Sequence, residues 1–193
     1  RILFPMISAY CEICKAKKLL DQAADSLEKE GLPYNREIDI GIMIEVPSAV
    51  VVADSLAEKV DFFSIGTNDL IQYALAIDRG NRHVADLYQP LDPAIIRMIK
   101  QVAEVAKDKG IGVFMCGEMA ATPHHIPLLI GMGLDELSMN PQSIPQIKRV
   151  IRSLDGRDAQ SFVREALKKK TARGVFELSK DAFGETLAEI TFS

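Results

Sequence analysis

Short apolar runs recur along the chain, and together with the short segment 136–139 they make five predicted strands. Each strand precedes a stretch in which apolar residues recur at helical spacing. Strand and helix in strict alternation predict a parallel β-sheet covered by helices. The runs are too uniformly apolar for a sheet with one face in water. The predicted strands are 2–7, 38–45, 61–66, 111–115 and 136–139. Helices are expected at about 10–30, 47–59, 70–77, 93–109, 123–130, 143–153, 158–170 and 178–189.

This order of elements leaves two architectures, an open doubly wound sheet and a (β/α)₈ barrel. No glycine-rich phosphate loop follows a predicted strand, which weakens the nucleotide-binding doubly wound folds. Polar residues at several strand ends favour the barrel, which needs eight strands and about 250 residues. The expected fold is therefore an α/β, TIM-like barrel of which this chain supplies about the C-terminal five strand–helix units. Residues 1–155 would form this part, and 156–193 a C-terminal helical tail packed on the same domain.

Carboxylates stand at the ends of two neighbouring predicted strands. Glu45 ends the apolar run 40–44, and Asp69 follows the run that stops at Gly66. The carboxyl ends of parallel strands meet at one edge of a sheet, where ligands bind in such folds. A hard divalent cation takes one or two carboxylates and completes its shell with water or substrate oxygens. The alternative for each residue alone is a helix cap, but the matched pair favours a metal site.

Composition and charge exclude several classes of function. With 48% hydrophobic residues among 193, the chain can build a sizeable core, and a net charge of -4 offers no attraction for nucleic acid. No apolar run approaches a membrane span, and the N-terminal one is broken too soon, by Pro5, for a signal peptide. The absence of an initiator Met suggests that the sequence begins inside a longer polypeptide.

The three cysteines are few and odd in number, which indicates a reducing, cytoplasmic setting. Cys11 and Cys14 have the C-x-x-C spacing. A zinc site needs four ligands, and no second pair lies at suitable spacing. A redox motif of the thioredoxin type would stand at a strand-to-helix turn, whereas these cysteines open a long helix. A structural role is therefore favoured for both.

Several segments, taken together, resemble known signatures. Residues 41–49 are similar to the metal-binding signature of the phosphoenolpyruvate-utilising enzymes, and residues 61–73 to their second signature. Residues 75–81, 87–90 and 115–120 look more narrowly like Enzyme I of the bacterial sugar phosphotransferase system. The resemblance runs from Arg1 to about Ile151. Two other readings stay open: a fragment of a pyruvate phosphate dikinase or phosphoenolpyruvate synthase, and a non-catalytic dimerisation module.

The resemblance implies a function for a longer parent protein. Enzyme I passes the phosphoryl group of phosphoenolpyruvate to one of its own histidines and then to the carrier HPr, releasing pyruvate. Its C-terminal barrel binds phosphoenolpyruvate and Mg²⁺, or Mn²⁺, and dimerises, while an N-terminal part carries the histidine and binds HPr. None of His83, His124 and His125 lies in the family's phosphohistidine motif. This chain alone is therefore expected to be inactive.

The resemblance also implies residue roles. Glu45 and Asp69 would hold the metal, and Asn68, Asp69 and Arg79 would bind the substrate. Cys116 would be catalytic, giving a proton to the enolate that remains when the phosphoryl group leaves; a thiol is mostly protonated at neutral pH and so can donate. Taken alone, Arg79 would be a solvated loop residue, and Cys116 a small buried hydrophobe.

Overall fold

The computed structural model describes residues 1–78, 80–81 and 83–191, in which five parallel strands form one sheet. The strands are β1 (Ile2–Phe4), β2 (Ile40–Ile44), β3 (Phe62–Gly66), β4 (Gly112–Cys116) and β5 (Glu136–Leu137). Each pairs in parallel with the next along the chain. The strand order follows the order along the chain throughout. In a doubly wound sheet the order reverses, whereas in a barrel it does not. The α/β class and the parallel sheet are thus confirmed, and among the described residues the sheet is open.

Helices follow the strands and cover one face of the sheet. Their bounds are α1 (Tyr10–Lys29), α2 (Pro47–Val51), α3 (Ala53–Ala57), α4 (Thr67–Ala74), α5 (Pro93–Lys109), α6 (Ile126–Met132), α7 (Ile144–Ser153), α8 (Gly156–Ala166) and α9 (Ala172–Thr191). Short 3₁₀ turns at Ala85–Leu87, Glu118–Ala121 and Pro123–His125 complete the regular structure of the described residues. In that part of the chain, no helix combines the length and apolar character that crossing a membrane requires.

Local sequence explains where α5 begins and ends. The Asp92 carboxylate accepts a hydrogen bond from the Ala94 amide at 2.8 Å and caps the first turn. Ile95, Ile99 and other apolar residues at helical spacing are buried against the sheet, and each such side chain contributes about 1.5–3 kcal/mol. The helix stops at Gly110, whose φ of 69° is in the left-handed region that glycine adopts without strain.

The largest differences between predicted and observed helices concern two of them. The helix expected at 47–59 is split into α2 and α3, because Val52 leaves helical geometry with φ -107° and ψ 22°. The last helix begins at Ala172, six residues before the predicted start at 178. Its residues Val175 and Leu187 are buried, so contact with the body of the protein extends it beyond what the sequence pattern indicated.

The helices after β5 lie against the segment that follows β4. A β-carbon at Gly131 in α6 would collide with the backbone of Ala159 in α8. Between α8 and α9, the rings of Phe162 and Phe183 meet edge to face with centroids 5.4 Å apart. These contacts place residues 156–191 on the same body as the sheet.

Candidate active site

The carboxyl end of β2 carries a buried acidic side chain. Glu45 directly follows the strand and is 3% exposed. Its Oε1 atom accepts a hydrogen bond from the Met6 amide at 2.7 Å. A buried charged group needs a hydrogen-bond partner or an opposite charge. One backbone amide supplies only one of the several hydrogen bonds that a carboxylate can accept.

A second carboxylate lies beside the first. Asp69 stands in the first turn of α4, at the end of β3, and its side chain is within hydrogen-bonding reach of Glu45. Burial raises the pKa of Glu45, the negative charge of Asp69 raises it further, and the Met6 amide opposes both. A β-carbon at Gly66 would lie 2.8 Å from Oε2 of Glu45, so the backbone of β3 itself closes one side of the pair.

This donor set fits a hard divalent cation. Both carboxylates can be ionised together when a cation offsets their repulsion. Across residues 1–78, 80–81 and 83–191, no group of three or more His, Cys, Asp and Glu side chains is arranged to hold a metal. Two carboxylates with remaining positions for water or substrate oxygens are the arrangement in which Mg²⁺ is usually bound.

Cys116 ends β4 on the same edge of the sheet. Its Sγ lies 3.7 Å from the Ser64 hydroxyl, which donates to it, and 3.7 Å from the Ile65 carbonyl oxygen, to which the thiol donates. The side chain is half-buried, and these two contacts from β3 orient its proton. A role as mere hydrophobic filling would not require either contact.

The end of β4 is tied to the start of α4 by polar contacts. Oδ1 of Asn68 accepts from the Glu118 amide at 3.1 Å and from the Tyr88 hydroxyl at 3.4 Å. With Oδ1 accepting, the amide hydrogens are what this side chain can offer to an anion. At Gly117, φ is 107° and a β-carbon would lie 2.5 Å from the Thr67 hydroxyl. Only glycine allows this close approach.

Of the predicted site residues, the structure brings Glu45 and Asp69 together and connects Cys116 and Asn68 to the same strand ends through β3 and α4. Arg79 lies outside the described residues. Sequence reasoning did not single out Ser64 or Thr67. Both are buried polar residues within or next to a strand that is otherwise apolar, which is the signal that could have identified them.

The histidines do not join this site. His83 is exposed. Burial lowers the pKa of His125 to about 4, a hydrogen bond with the Met119 backbone opposes this, and the ring is neutral at physiological pH. The His124 ring packs against Phe176 in α9 with centroids 5.3 Å apart.

Comparison with known proteins decides the family. The model of the phosphoenolpyruvate-binding domain of phosphoenolpyruvate-utilising enzymes matches residues 1–156. The chain belongs to the phosphoenolpyruvate-utilising enzyme family. Among this family, the phosphoenolpyruvate-protein phosphotransferase of Streptococcus equinus is 46% identical over 94% of this chain and 32% of its own length. That of Bacillus subtilis is 45% identical over 95% of this chain and 32% of its own length.

The phosphoenolpyruvate-protein phosphotransferase of Haemophilus influenzae gives a similar result, with 43% identity over 93% of this chain. The chain spans about a third of the length of these relatives. Among solved structures, a citrate lyase from Burkholderia xenovorans matches with a TM-score of 0.55 and 13% identity, over 100% of this chain and 68% of that one. This likeness concerns the fold alone. The family predicted from the sequence signatures is confirmed.

Proposed function

We propose that this chain is the phosphoenolpyruvate- and cation-binding part of a phosphoenolpyruvate-protein phosphotransferase. The parent enzyme would transfer the phosphoryl group of phosphoenolpyruvate to its own histidine and then to HPr, releasing pyruvate. The observation that carries the proposal is the buried pair of Glu45 and Asp69 at the carboxyl ends of β2 and β3. The names of relatives that are 43–46% identical support it.

The carboxylate pair would bind the cation. Mg²⁺ or Mn²⁺ there would offset the negative charge of the substrate's phosphate and carboxylate oxygens. Glu45 is oriented for this by the Met6 amide, and Asp69 by its place in the first turn of α4. Asn68 would donate its amide hydrogens to phosphate without adding charge. Arg79 would add a planar, bidentate contact to the phosphate oxygens.

Cys116 would act as the general acid. Loss of the phosphoryl group leaves the enolate of pyruvate, whose methylene carbon must gain a proton. The thiol would supply this proton from the carboxyl end of β4, where the contact from the Ser64 hydroxyl orients the sulfur. In the reverse direction the thiolate would remove a proton from the methyl group of pyruvate.

The remaining assignments concern the parent enzyme. Relatives three times the length of this chain have room for the phosphohistidine and the HPr-binding surface. We place the enzyme in the cytoplasm and expect it to form a homodimer through the domain that contains this chain. Residues 1–155 would contribute the C-terminal part of its barrel, and 156–193 a helical tail on the same domain.

The test is calorimetric titration of the full-length enzyme with phosphoenolpyruvate, with and without Mg²⁺. Glu45→Gln and Asp69→Asn should each weaken cation-dependent binding by at least about tenfold, since even the loss of a residue that only orients a metal ligand costs about 10- to 100-fold. Asp54→Asn, which removes an exposed carboxylate of α3, is the matched control and should bind as the parent does. Unchanged binding in both site variants would refute the metal assignment.

A further inference from the structure

The structure changes the interpretation of the C-x-x-C motif. Cys11 and Cys14 lie in the first turns of α1, and both thiols are free and exposed. Neither side chain belongs to the buried core. Moreover, α1 follows β1 after a connection of only five residues, 5–9. The pair therefore does stand at a strand-to-helix connection.

Helix geometry places the two cysteines on one face of α1, close to bonding distance. Residues three apart in an α-helix lie on one face, with Cα atoms about 5 Å apart. Disulfides form between Cα atoms about 4.4–6.8 Å apart. The Cβ atoms of residues three apart in a regular helix are about 5–6 Å apart, whereas a disulfide needs about 3.5–4.5 Å. Closing the bond therefore requires the first turns of α1 to tighten towards 3₁₀ geometry, which is common at helix ends and brings side chains three apart into line.

A cation stands next to the pair. The Lys59 ammonium group lies 5.5 Å from the centre of the Tyr10 ring. A hydrogen bond with Tyr10 raises the pKa of Lys59, and the charge of Cys14 adds a smaller increase. The thiolate is the species that attacks a disulfide, and in general a nearby positive charge stabilises a thiolate. Lys59 is anchored at this point because the Lys17 ammonium group donates to its carbonyl oxygen at 2.8 Å.

We propose that Cys11 and Cys14 form a redox-active dithiol that reacts with low-molecular-weight disulfides of the glutathione class. One cysteine thiolate attacks the external disulfide, forms a mixed disulfide and releases one thiolate. The other cysteine then attacks the protein sulfur of that mixed disulfide and releases the second. Cys11 and Cys14 are oxidised to an intrahelical disulfide, the external disulfide is reduced to two thiols, and the protein thiol protons pass to the released thiolates or to water. The reaction is independent of the phosphotransferase function proposed above.

The location of the pair gives the disulfide a local consequence. Between the two cysteines, the Glu12 carboxylate accepts hydrogen bonds from the Ser8 amide at 2.7 Å and the Ala9 amide at 3.0 Å. These bonds hold the connection 5–9, whose Met6 amide donates to Glu45. Rotation of Cys11 and Cys14 into a bond constrains the turn that carries Glu12. Oxidation should therefore alter amide hydrogen exchange in residues 5–9 and leave α9 unchanged.

The experiment exposes the reduced protein to fixed ratios of oxidised and reduced glutathione without oxygen. Samples are quenched with acid, alkylated and analysed by intact mass and peptide mapping. The expected product has lost two hydrogen atoms and carries a bond between Cys11 and Cys14, also when Cys116 is replaced by Ser. Cys11→Ser and Cys14→Ser should each stop at a stable adduct of one glutathione on the remaining cysteine.

Two further measurements complete the test. Lys59→Met should slow the oxidation by at most about fivefold, the size expected for one exposed charge contact, whereas Lys29→Met, in the last turn of α1, should leave the rate unchanged. Any of three results with the wild-type protein would overturn the proposal. These are the accumulation of two glutathione adducts, a disulfide to a second chain, and a protein that stays reduced under conditions that oxidise free dithiothreitol. Oxidation without altered amide exchange at 5–9 would overturn the predicted effect on the connection.

Discussion

At the scale of single residues, Glu45 is a carboxylate in a buried position that disfavours its negative charge. It is 3% exposed and lies beside a second carboxylate. Without a cation, its ionised form is costly in the folded protein, because burial and Asp69 both raise its pKa. A residue of this kind is retained for function rather than for stability.

This gives a prediction on pH and stability. A raised pKa means that the folded state binds the proton on Glu45 more tightly than the unfolded state does. Proton binding therefore stabilises the folded protein, and this stabilisation is complete below the unfolded pKa, about 4.3. It is lost as pH rises through the higher folded value. Glu45→Gln should escape this loss. The measurement is urea unfolding without cation. As pH rises from about 4.3 through the folded pKa of Glu45, the free energy of unfolding of Glu45→Gln should increase relative to that of the wild type, and the variant should remain more stable at pH 7.

Two controls sharpen this measurement. Glu185→Gln, an exposed position of α9, should show no such dependence on pH. Mg²⁺ should stabilise the wild type and leave Glu45→Gln unchanged. A constant difference between Glu45→Gln and wild type from pH 3 to pH 8 would contradict the environment assigned to Glu45.

Cys116 carries the second residue-scale prediction. In the full-length enzyme, Cys116→Ser should reduce pyruvate formation about 100-fold or more, because a hydroxyl is a far poorer proton donor and general acid catalysis contributes at least that much. The KM for phosphoenolpyruvate should change little. Cys11→Ser is the matched control and should turn over as the wild type does. Normal turnover by Cys116→Ser would assign the thiol a structural role.

At the scale of elements, the contact between α6 and α8 depends on one missing side chain. At Gly131 the backbone of α8 occupies the space that a β-carbon would need. Backbone cannot rotate aside as a flexible side chain can, so the two helices would have to separate. The close approach holds the C-terminal helices on the body of the protein.

We therefore expect Gly131→Ala to destabilise the protein by about 1–3 kcal/mol, the usual cost of overpacking. Gly184→Ala is the matched control, since at this position in α9 the nearest atom, 3.5 Å from a β-carbon, is a Lys180 side-chain carbon. It should stabilise by about 0.5–1 kcal/mol through helix propensity. Equal effects of the two substitutions in chemical denaturation would refute the tight α6–α8 contact.

At the scale of the whole molecule, the sheet carries a partly open apolar face. Leu3 is 37% exposed there, and the rings of Phe62 and Phe114 meet with centroids 5.1 Å apart. The Arg1 guanidinium covers the Phe114 ring at 4.7 Å and pairs with Glu136 at 2.8 Å. Strands β1 and β5 are each paired on one side among the described residues, and such edges and faces promote association.

The isolated chain should therefore self-associate in a concentration-dependent way, measured by light scattering. Leu3→Lys places a charge on the open face and should shift the equilibrium towards monomer. Leu19→Lys, on the outer side of α1 where the leucine is 65% exposed, should not. A wild-type chain that is monomeric at every concentration would contradict the prediction.

Much of this protein could be predicted from its sequence, because most of its strands are short, largely apolar runs. Such runs in alternation with amphipathic helices are compatible with few folds other than a parallel sheet. The Asp92 cap and the Gly110 stop act within a few residues, so α5 was predicted correctly. The sequence indicated Glu45 and Asp69 as candidate metal ligands because each lies just beyond the end of such a run.

Tertiary structure alone decided which side chains meet. Ser64 contacts Cys116, and Asn68 holds the Glu118 amide, across 52 and 50 residues of sequence. No local pattern encodes these distances, since they depend on the register of β3 with β4. Exposure of Cys11 and Cys14 was likewise undecided, because the same helix could have buried either face. Periodicity and capping are local and can be read from a chain, whereas burial and contact between distant residues exist only once the sheet has formed.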